Sequence, residues 1–476
     1  LHYPFAVGRR LVVVLFACAL GLLAAGRASA FTKQGLSLRM DDGVTLAATL
    51  YEPSAAPPPA GFQAIVMFHG LGGKRQDLDF LAQQFAGSYA VLTFDARGHG
   101  QSDGLVSIDG PREIADTRAV FGGLAARPEI NRNKIGAWGL SLGGGAVLRS
   151  LVEGVPWAAV EVLQTWTDLY QALAPQGLAK SGAIFQFLSS VPQSRLDPSV
   201  LAIRDDAIAS KNLASLNAFA KARSSRPLLS KVTTPVMMFQ GRRDFAFDIG
   251  QATAGYRLLK GPKRLYIGDF GHSPSTFPGP DIAQVVAQGA AWFGRYLQGV
   301  PLTTTPVALA PNPWRGKVRA YTGLPPTRRL SLELDGRDTI TGAGKVVRKG
   351  RPLTGMVETF GSAEVRVTAR LGGGWSHLVA ALTAKPPRGN EVVVSEGGLN
   401  TSGLSGTHRL TIRLLDDATL IRRRSRLRLT LASNSLAQSP ANLLYLDLPM
   451  PGAARVTLGS VRLVLPVLKT PISVVR

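Results

Sequence analysis

Lys134–Val152 reads KIGAWGLSLGGGAVLRSLV. Lys134–Trp138 is an apolar run of strand length, and Gly144 to Val152 has the composition of a helix. Between them stands Gly139-Leu140-Ser141-Leu142-Gly143, of the form G-x-S-x-G. Alone the pattern is weak, because glycine and serine are common enough here for chance to supply it about 0.4 times in a chain of this length. The context decides. On a sharp strand-to-helix turn a serine stands clear of the strand end, and side chains at the two flanking positions would collide with the neighbouring strand and helix. Ser141 is therefore the candidate nucleophile.

Short apolar runs lie on both sides of this stretch. They are Ala64–Phe68, Ala90–Phe94, Ala158–Leu163, Pro235–Phe239 and Arg264–Ile267, with helix-like segments such as Asp77–Phe85 and Glu113–Leu124 between most of them. Strands apolar throughout, alternating with helices, predict a parallel sheet covered on both faces. Ahead of it, Leu36–Met40 and Val44–Tyr51 alternate around Asp42-Gly43, the pattern of a hairpin. Between about Thr165 and Ser230 no strand is evident, and Pro175, Pro192 and Pro198 cut a helical, polar segment. That length exceeds an ordinary crossover and predicts an inserted helical cap. Ile282–Leu297 reads as a last amphipathic helix.

From about Pro301 the pattern changes to short alternating strands with Gly, Pro and Asp turns: Leu330–Leu334, Glu364–Ala369, Leu378–Thr383, Arg409–Leu415, Arg426–Ala432 and Arg455–Val464. This predicts an all-β domain, a sandwich or jelly roll. The expected organisation is a signal peptide over 1–30, an α/β domain over 31–300 with its cap at about 165–230, and a β domain over 301–476. The signal reading rests on Arg9-Arg10, the apolar stretch Leu11 to Ala25 and the small-residue site Ala28-Ser29-Ala30, with the mature chain beginning near Phe31.

The only cysteine, Cys18, lies in that signal, so no disulfide, thiol chemistry or cysteine-held metal is expected of the mature chain. An exported protein of this kind fits a secreted or envelope-associated protein of a bacterium. The net charge is +23. Removing Arg9, Arg10 and Arg27 leaves 23 − 3 = +20, which favours loose adhesion to an anionic cell envelope. No motif for nucleic acid accompanies the charge, and many arginines fall singly on strand faces, as in Arg409-Leu410-Thr411-Ile412-Arg413. No carboxylate/histidine cluster has metal spacing and no phosphate loop occurs, so neither metal nor cofactor is expected.

A serine hydroxyl needs a base. In chains built around this turn the order is serine, acid, histidine. Of His69, His99 and His272, only His272 follows Ser141, in Asp269-Phe270-Gly271-His272 just past a predicted strand. The orienting acid belongs at the end of the preceding strand, in Gln240-Gly241-Arg242-Arg243-Asp244. Asp244 is the first choice and Asp248 the second. Two N–H donors are needed for the oxyanion. Leu142 N–H follows the serine, and Leu71 N–H lies in His69-Gly70-Leu71-Gly72-Gly73 after the strand Ala64–Phe68. His69 is then structural, and Asp95-Ala96-Arg97-Gly98-His99-Gly100-Gln101-Ser102 braces a loop.

Together the His69-Gly70 loop, the Asp95 to Ser102 segment, the Ser141 turn, Asp244 and Gly271-His272 resemble the α/β-hydrolase superfamily. Within it, the chain is similar to Xaa-Pro dipeptidyl peptidases and cocaine-esterase-like hydrolases (peptidase S15-like). Thr165-Trp166-Thr167-Asp168-Leu169 through Ala179-Lys180-Ser181-Gly182, the cap at that place, and the segments Ser395–Ser402 and Arg426–Leu429 carry this likeness. The resemblance implies a Ser141–Asp244–His272 triad, a small ester or peptide substrate, and a pocket walled by the cap and the C-terminal domain. One departure stands out. Members of that branch often supply an oxyanion tyrosine from the loop after the third strand, and here that loop reads His69-Gly70-Leu71-Gly72 with no tyrosine. Three readings follow: an esterase or amidase, an Xaa-Pro dipeptidyl peptidase with the same residues, and a non-catalytic envelope-binding protein.

Overall fold

The computed structural model describes residues 30–435 and 444–470. The expected signal peptide falls outside the described residues except for Ala30. Ten strands form the first sheet: β1 (Phe31–Arg39), β2 (Thr45–Pro53), β3 (Phe62–Phe68), β4 (Ala90–Phe94), β5 (Ile130–Leu140), β6 (Val160–Leu163), β7 (Val236–Gly241), β8 (Lys263–Gly268), β9 (Val307–Leu309) and β10 (Arg319–Tyr321). Their order is β1-β2-β4-β3-β5-β6-β7-β8-β9-β10. From β4 to β9 the neighbours are parallel, as continuous apolar strands require. The hairpin β1–β2 adds antiparallel to one edge, with Arg39 opposite Thr45 across the Asp42-Gly43 turn. At the other edge β9 and β10 carry the sheet past residue 301, where the sequence predicts the β domain to begin. At three residues each, these strands are too short to show a period.

Helices cover both faces. In chain order they are α1 (Asp79–Phe85), α2 (Pro111–Ala125), α3 (Leu142–Val152), α4 (Leu169–Leu173), α5 (Ser181–Leu188), α6 (Pro198–Ile208), α7 (Leu213–Lys221), α8 (Ile249–Leu258) and α9 (Ile282–Phe293). The strand period of two sorts β3 between two cores. Val66 and Phe68 belong to the core that also takes in α2, α3 and α8, whereas Ile65 and Met67 belong to the one that takes in α1 and α9. Between β6 and β7 there is no strand, and α4 to α7 with short 3₁₀ turns form the predicted cap.

The C-terminal strands are β11 (Thr327–Leu334), β12 (Asp338–Thr341), β13 (Lys345–Pro352), β14 (Val357–Glu358), β15 (Glu364–Gly372), β16 (His377–Lys385), β17 (Val392–Asn400), β18 (Gly406–Arg413), β19 (Leu420–Ile421), β20 (Arg426–Ala432) and β21 (Arg455–Leu468). Two antiparallel sheets, β11-β21-β15-β18 and β13-β20-β16-β17, pack face to face. Val365, Val367 and Ala369 of β15 share one core with Leu378, Ala380 and Leu382 of β16 and Leu427, Leu429 and Leu431 of β20. Arg366, Thr368 and Arg370 point the other way, which explains the singly spaced arginines.

Candidate active site

The turn after β5 holds Ser141 at φ 55° and ψ −114°, in a region that non-glycine residues seldom occupy. Three hydrogen bonds fix it. Ser141 N–H donates to Leu163 O at 2.8 Å, while its own carbonyl accepts from Gly145 N–H at 3.1 Å and from the Thr165 hydroxyl at 2.8 Å. The flanking glycines are required by contact. A Cβ on Gly139 would lie 2.3 Å from Gly143 O, and one on Gly143 would lie 2.4 Å from Phe68 O. The strained serine is therefore held where a strand, a helix and the neighbouring strand meet too closely for any side chain.

The structure brings Ser141, His272 and Asp244 into one hydrogen-bonded series although 131 residues separate the first two. Ser141 Oγ lies 3.1 Å from His272 Nε2, and His272 Nδ1 lies 2.8 Å from Asp244 Oδ2. Asp244 is fully buried. Its Oδ1 accepts the N–H groups of Ala246 (3.0 Å) and Phe247 (2.9 Å), and its Oδ2 also accepts His272 N–H at 3.2 Å. An acceptor-only carboxylate beside Nδ1 favours the tautomer with its proton on Nδ1, which leaves the Nε2 lone pair facing the serine. Asp248, the second choice, is elsewhere. It caps α8 through Gly250 N–H at 2.9 Å, and burial raises its pKa.

Leu71 and Leu142 border the same cavity as Ser141. Gly70 brings its backbone beside the serine, since a Cβ there would lie 3.6 Å from Ser141 Cβ. Among the described residues no protein acceptor takes the N–H of Leu71 or of Leu142. His69 is structural, as the sequence suggests. It is buried, its Nε2 accepts Ala96 N–H at 2.9 Å, and burial lowers its pKa. Asp95 braces its loop by accepting the N–H groups of Arg75 (2.6 Å) and Gln101 (2.8 Å) and the Arg75 guanidinium. Among the described residues no group of His, Cys, Asp and Glu side chains could hold a metal.

Several parts of the site are not evident from the sequence. Phe187 of the cap and Phe247 stack on each other at 6.1 Å, and both rings stand nearly perpendicular to the His272 imidazole, at 5.7 and 5.3 Å. With Trp166 and four cap helices they enclose a cavity of about 80 Å³ that reaches Ser141. The expectation that the C-terminal domain also walls this cavity is not met, since every lining residue lies between 71 and 247. That domain instead clamps the acid's loop. Arg242, two residues before Asp244, is buried in an ion pair with Glu358 and donates to the carbonyls of Ala418 (2.8 Å) and Ala310. Phe245 packs with Val379, Leu415 and Tyr445. From the cap, buried Lys180 donates to the carbonyls of Phe245 (2.8 Å) and Ala246 (2.5 Å).

Comparison with known proteins agrees with this anatomy. Residues 42–274 match the family described as X-Pro dipeptidyl-peptidase (S15 family). A quorum-quenching protein of Acinetobacter baumannii is 32% identical over 162 residues, 31% of this chain and 52% of that protein. A 3-hydroxybutyrate-oligomer hydrolase of Cupriavidus necator is 30% identical over 128 residues, 26% of this chain and 41% of its own. The chain thus spans about half the length of the curated relatives it matches. A CocE/NonD family hydrolase from Staphylococcus aureus superposes with a TM-score of 0.71 at 15% identity, over 92% of this chain and 94% of that one. An α-amino acid ester hydrolase does so at 0.69 and 15%, over 96% and 99%. These likenesses establish the fold across nearly the whole chain, that of the α/β-hydrolases with a C-terminal β domain, and the match to the S15 family spans the part that carries Ser141, Asp244 and His272.

Proposed function

We propose that the chain is an exported serine hydrolase that cleaves a carboxylic ester through an acyl-enzyme on Ser141. The observation that carries this reading is the series Ser141–His272–Asp244 at the mouth of an apolar cavity. In this reading His272 Nε2 takes the hydroxyl proton as Ser141 Oγ bonds to the carbonyl carbon. The carbonyl electron pair moves to oxygen, where the N–H groups of Leu71 and Leu142 receive it. Collapse breaks the bond to the leaving oxygen, which takes the proton back from His272. A water, deprotonated by the same nitrogen, then releases the acid. Asp244 holds the imidazole tautomer throughout. The basic mature surface adds weak, salt-sensitive adhesion to an anionic envelope.

The family match keeps an Xaa-Pro dipeptidyl peptidase as the second reading. Such an enzyme must hold a free N-terminal ammonium, yet no carboxylate lines the cavity. An aryl ester is expected to be turned over more than about tenfold better than an Xaa-Pro anilide, a difference of 1.4 kcal/mol in barrier. The first test is fluorophosphonate labelling with the adduct located by mass spectrometry. An adduct on Ser141 that His272→Ala abolishes is the expected result. Folded protein that never labels would overturn the serine-hydrolase reading.

A further inference from the structure

We infer that the cavity inside the cap is the site for the acyl part of the substrate, and that this part is an unbranched apolar chain of medium length. The inference rests on Ser141 as the nucleophile and names what that serine acylates. Two observations carry it: which residues line the cavity, and which do not.

Ser141, Leu71 and Leu142 line the cavity, but His272 does not. In acyl transfer the protonated base must reach the leaving oxygen, so the leaving group lies on the imidazole side. Phe187 and Phe247 stand between that side and the cavity, each with its ring against the imidazole. A space that opens on the serine and on the two candidate oxyanion donors, but not on the histidine, receives the acyl group.

The lining fixes the chemistry of that group. Apart from Ser141 and Arg204, every lining side chain is aliphatic or aromatic. The Trp166 N–H is taken by the carbonyl of Arg223 at 2.8 Å. Arg204 turns its guanidinium to Asp205 at 2.8 Å, so its stem, not its charge, faces inward. An ammonium, amide or hydroxyl along the chain would enter with no partner, at a desolvation cost that excludes it. The cap closes one side of it with Val200, Ile203 and Ala207 of α6 and Leu216 of α7. A volume of about 80 Å³ holds roughly five to eight water-sized groups. That suits a chain of about six to ten carbons and leaves an acetyl group mostly uncontacted.

A series of p-nitrophenyl esters from acetate to dodecanoate tests this. Between butyrate and about octanoate, kcat/KM is expected to rise roughly fourfold per methylene, the fold-change for about 0.8 kcal/mol per buried CH₂. Ala207→Leu, which adds bulk to the lining contributed by the cap, is expected to lower the octanoate-to-butyrate ratio of kcat/KM at least fivefold. Being a ratio, this readout does not depend on the folded fraction. Calorimetric titration of Ser141→Ala with decanoate gives a second readout that needs no turnover, with saturable binding expected and weakened by Ala207→Leu. A flat or falling ester series on protein whose Ser141 still labels overturns the acyl site and leaves the hydrolase reading intact. An unmoved ratio in Ala207→Leu overturns it as well. Decanoate binding without turnover of any ester upholds the apolar site and overturns the hydrolase reading. Absence of both binding and turnover overturns the inference.

Discussion

The ammonium of Lys180, on the cap, donates a 2.8 Å hydrogen bond to the carbonyl of Phe245, the residue that follows Asp244. A second bond goes to Ala246, whose own N–H is held by Asp244 Oδ1. Cap and acid loop are thereby tied through one buried side chain. Lys180→Met leaves two buried carbonyls without donors, so it is expected to destabilise the protein by about 2–3 kcal/mol, read from urea unfolding.

The same lysine predicts a pH effect of definite sign. Burial lowers its pKa to about 8 from 10.5, while the carboxylates of Asp248 and Asp244 oppose the shift. Below about pH 8 both folded and unfolded chains carry the charge, and the group gives no slope. Between about 8 and 10.5 the unfolded chain binds the proton that the folded one has lost, so rising pH favours the folded state. The wild type should gain on Lys180→Met by about 3 kcal/mol across that window, measured as the difference between their unfolding free energies. The neutral amine keeps two N–H groups for its two carbonyls, so activity should show no inflection from Lys180.

What the sequence discloses follows the range of each interaction. The turn at Ser141 is legible because strand, glycines and helix are chain neighbours, and the order of Asp244 and His272 follows from the resemblance to α/β-hydrolases that the turn carries. The clamp on the acid loop is not legible. Arg242 and Glu358 lie 116 residues apart, and a single buried arginine leaves no periodic mark. The cavity is harder still, because it arises where the apolar faces of α5, α6 and α7 fail to close on one another. Composition marks those faces as apolar but not as unfilled. Strands β13 and β17 go unflagged because Lys345–Pro352 is rich in charge and Val392–Asn400 carries a polar, glycine-containing half.

The crowding at the turn predicts two opposite effects of one substitution. Gly143→Ala would put a Cβ 2.4 Å from Phe68 O, against backbone that cannot move without shifting β3. A loss of about 1–3 kcal/mol is expected from overpacking, together with loss of ester turnover and of fluorophosphonate labelling. Gly122→Ala, in the interior of α2 with nothing within 4 Å of its added Cβ, should instead stabilise by about 0.5–1 kcal/mol. Parallel urea titrations of the two variants check both signs.

The clamp by the C-terminal domain predicts an effect at a distance from the serine. Glu358→Ala leaves the Arg242 guanidinium buried without its carboxylate, which should cost about 3–5 kcal/mol. The loosened loop should also lower kcat for a p-nitrophenyl ester, because the acid two residues on is no longer fixed. Replacing both partners, Arg242→Met with Glu358→Leu, should recover much of the stability, since a packed apolar pair avoids the desolvation of two ions. Little loss in Glu358→Ala with a large loss in the double variant would show that the bonds from Arg242 to Ala418 and Ala310, not the ion pair, carry the clamp.

Asp244→Asn separates the acid's electrostatic part from its structural one. The asparagine oxygen can still accept the N–H groups of Ala246 and Phe247, but its amide takes the place of Oδ2 and leaves His272 N–H without that acceptor. Its amide would present a donor to His272 Nδ1, and the imidazole would then carry its proton on Nε2, facing Ser141 Oγ. A base protonated on that nitrogen cannot take the serine proton. The expected outcome is a fall in kcat of about 10⁴ with KM within a few-fold, and a loss of unfolding free energy of only about 1–2 kcal/mol for the one acceptor lost. Decanoate binding in the cap should be unaffected, because the cavity does not touch His272 or Asp244. A variant that loses stability in step with activity would instead assign Asp244 chiefly to holding the loop.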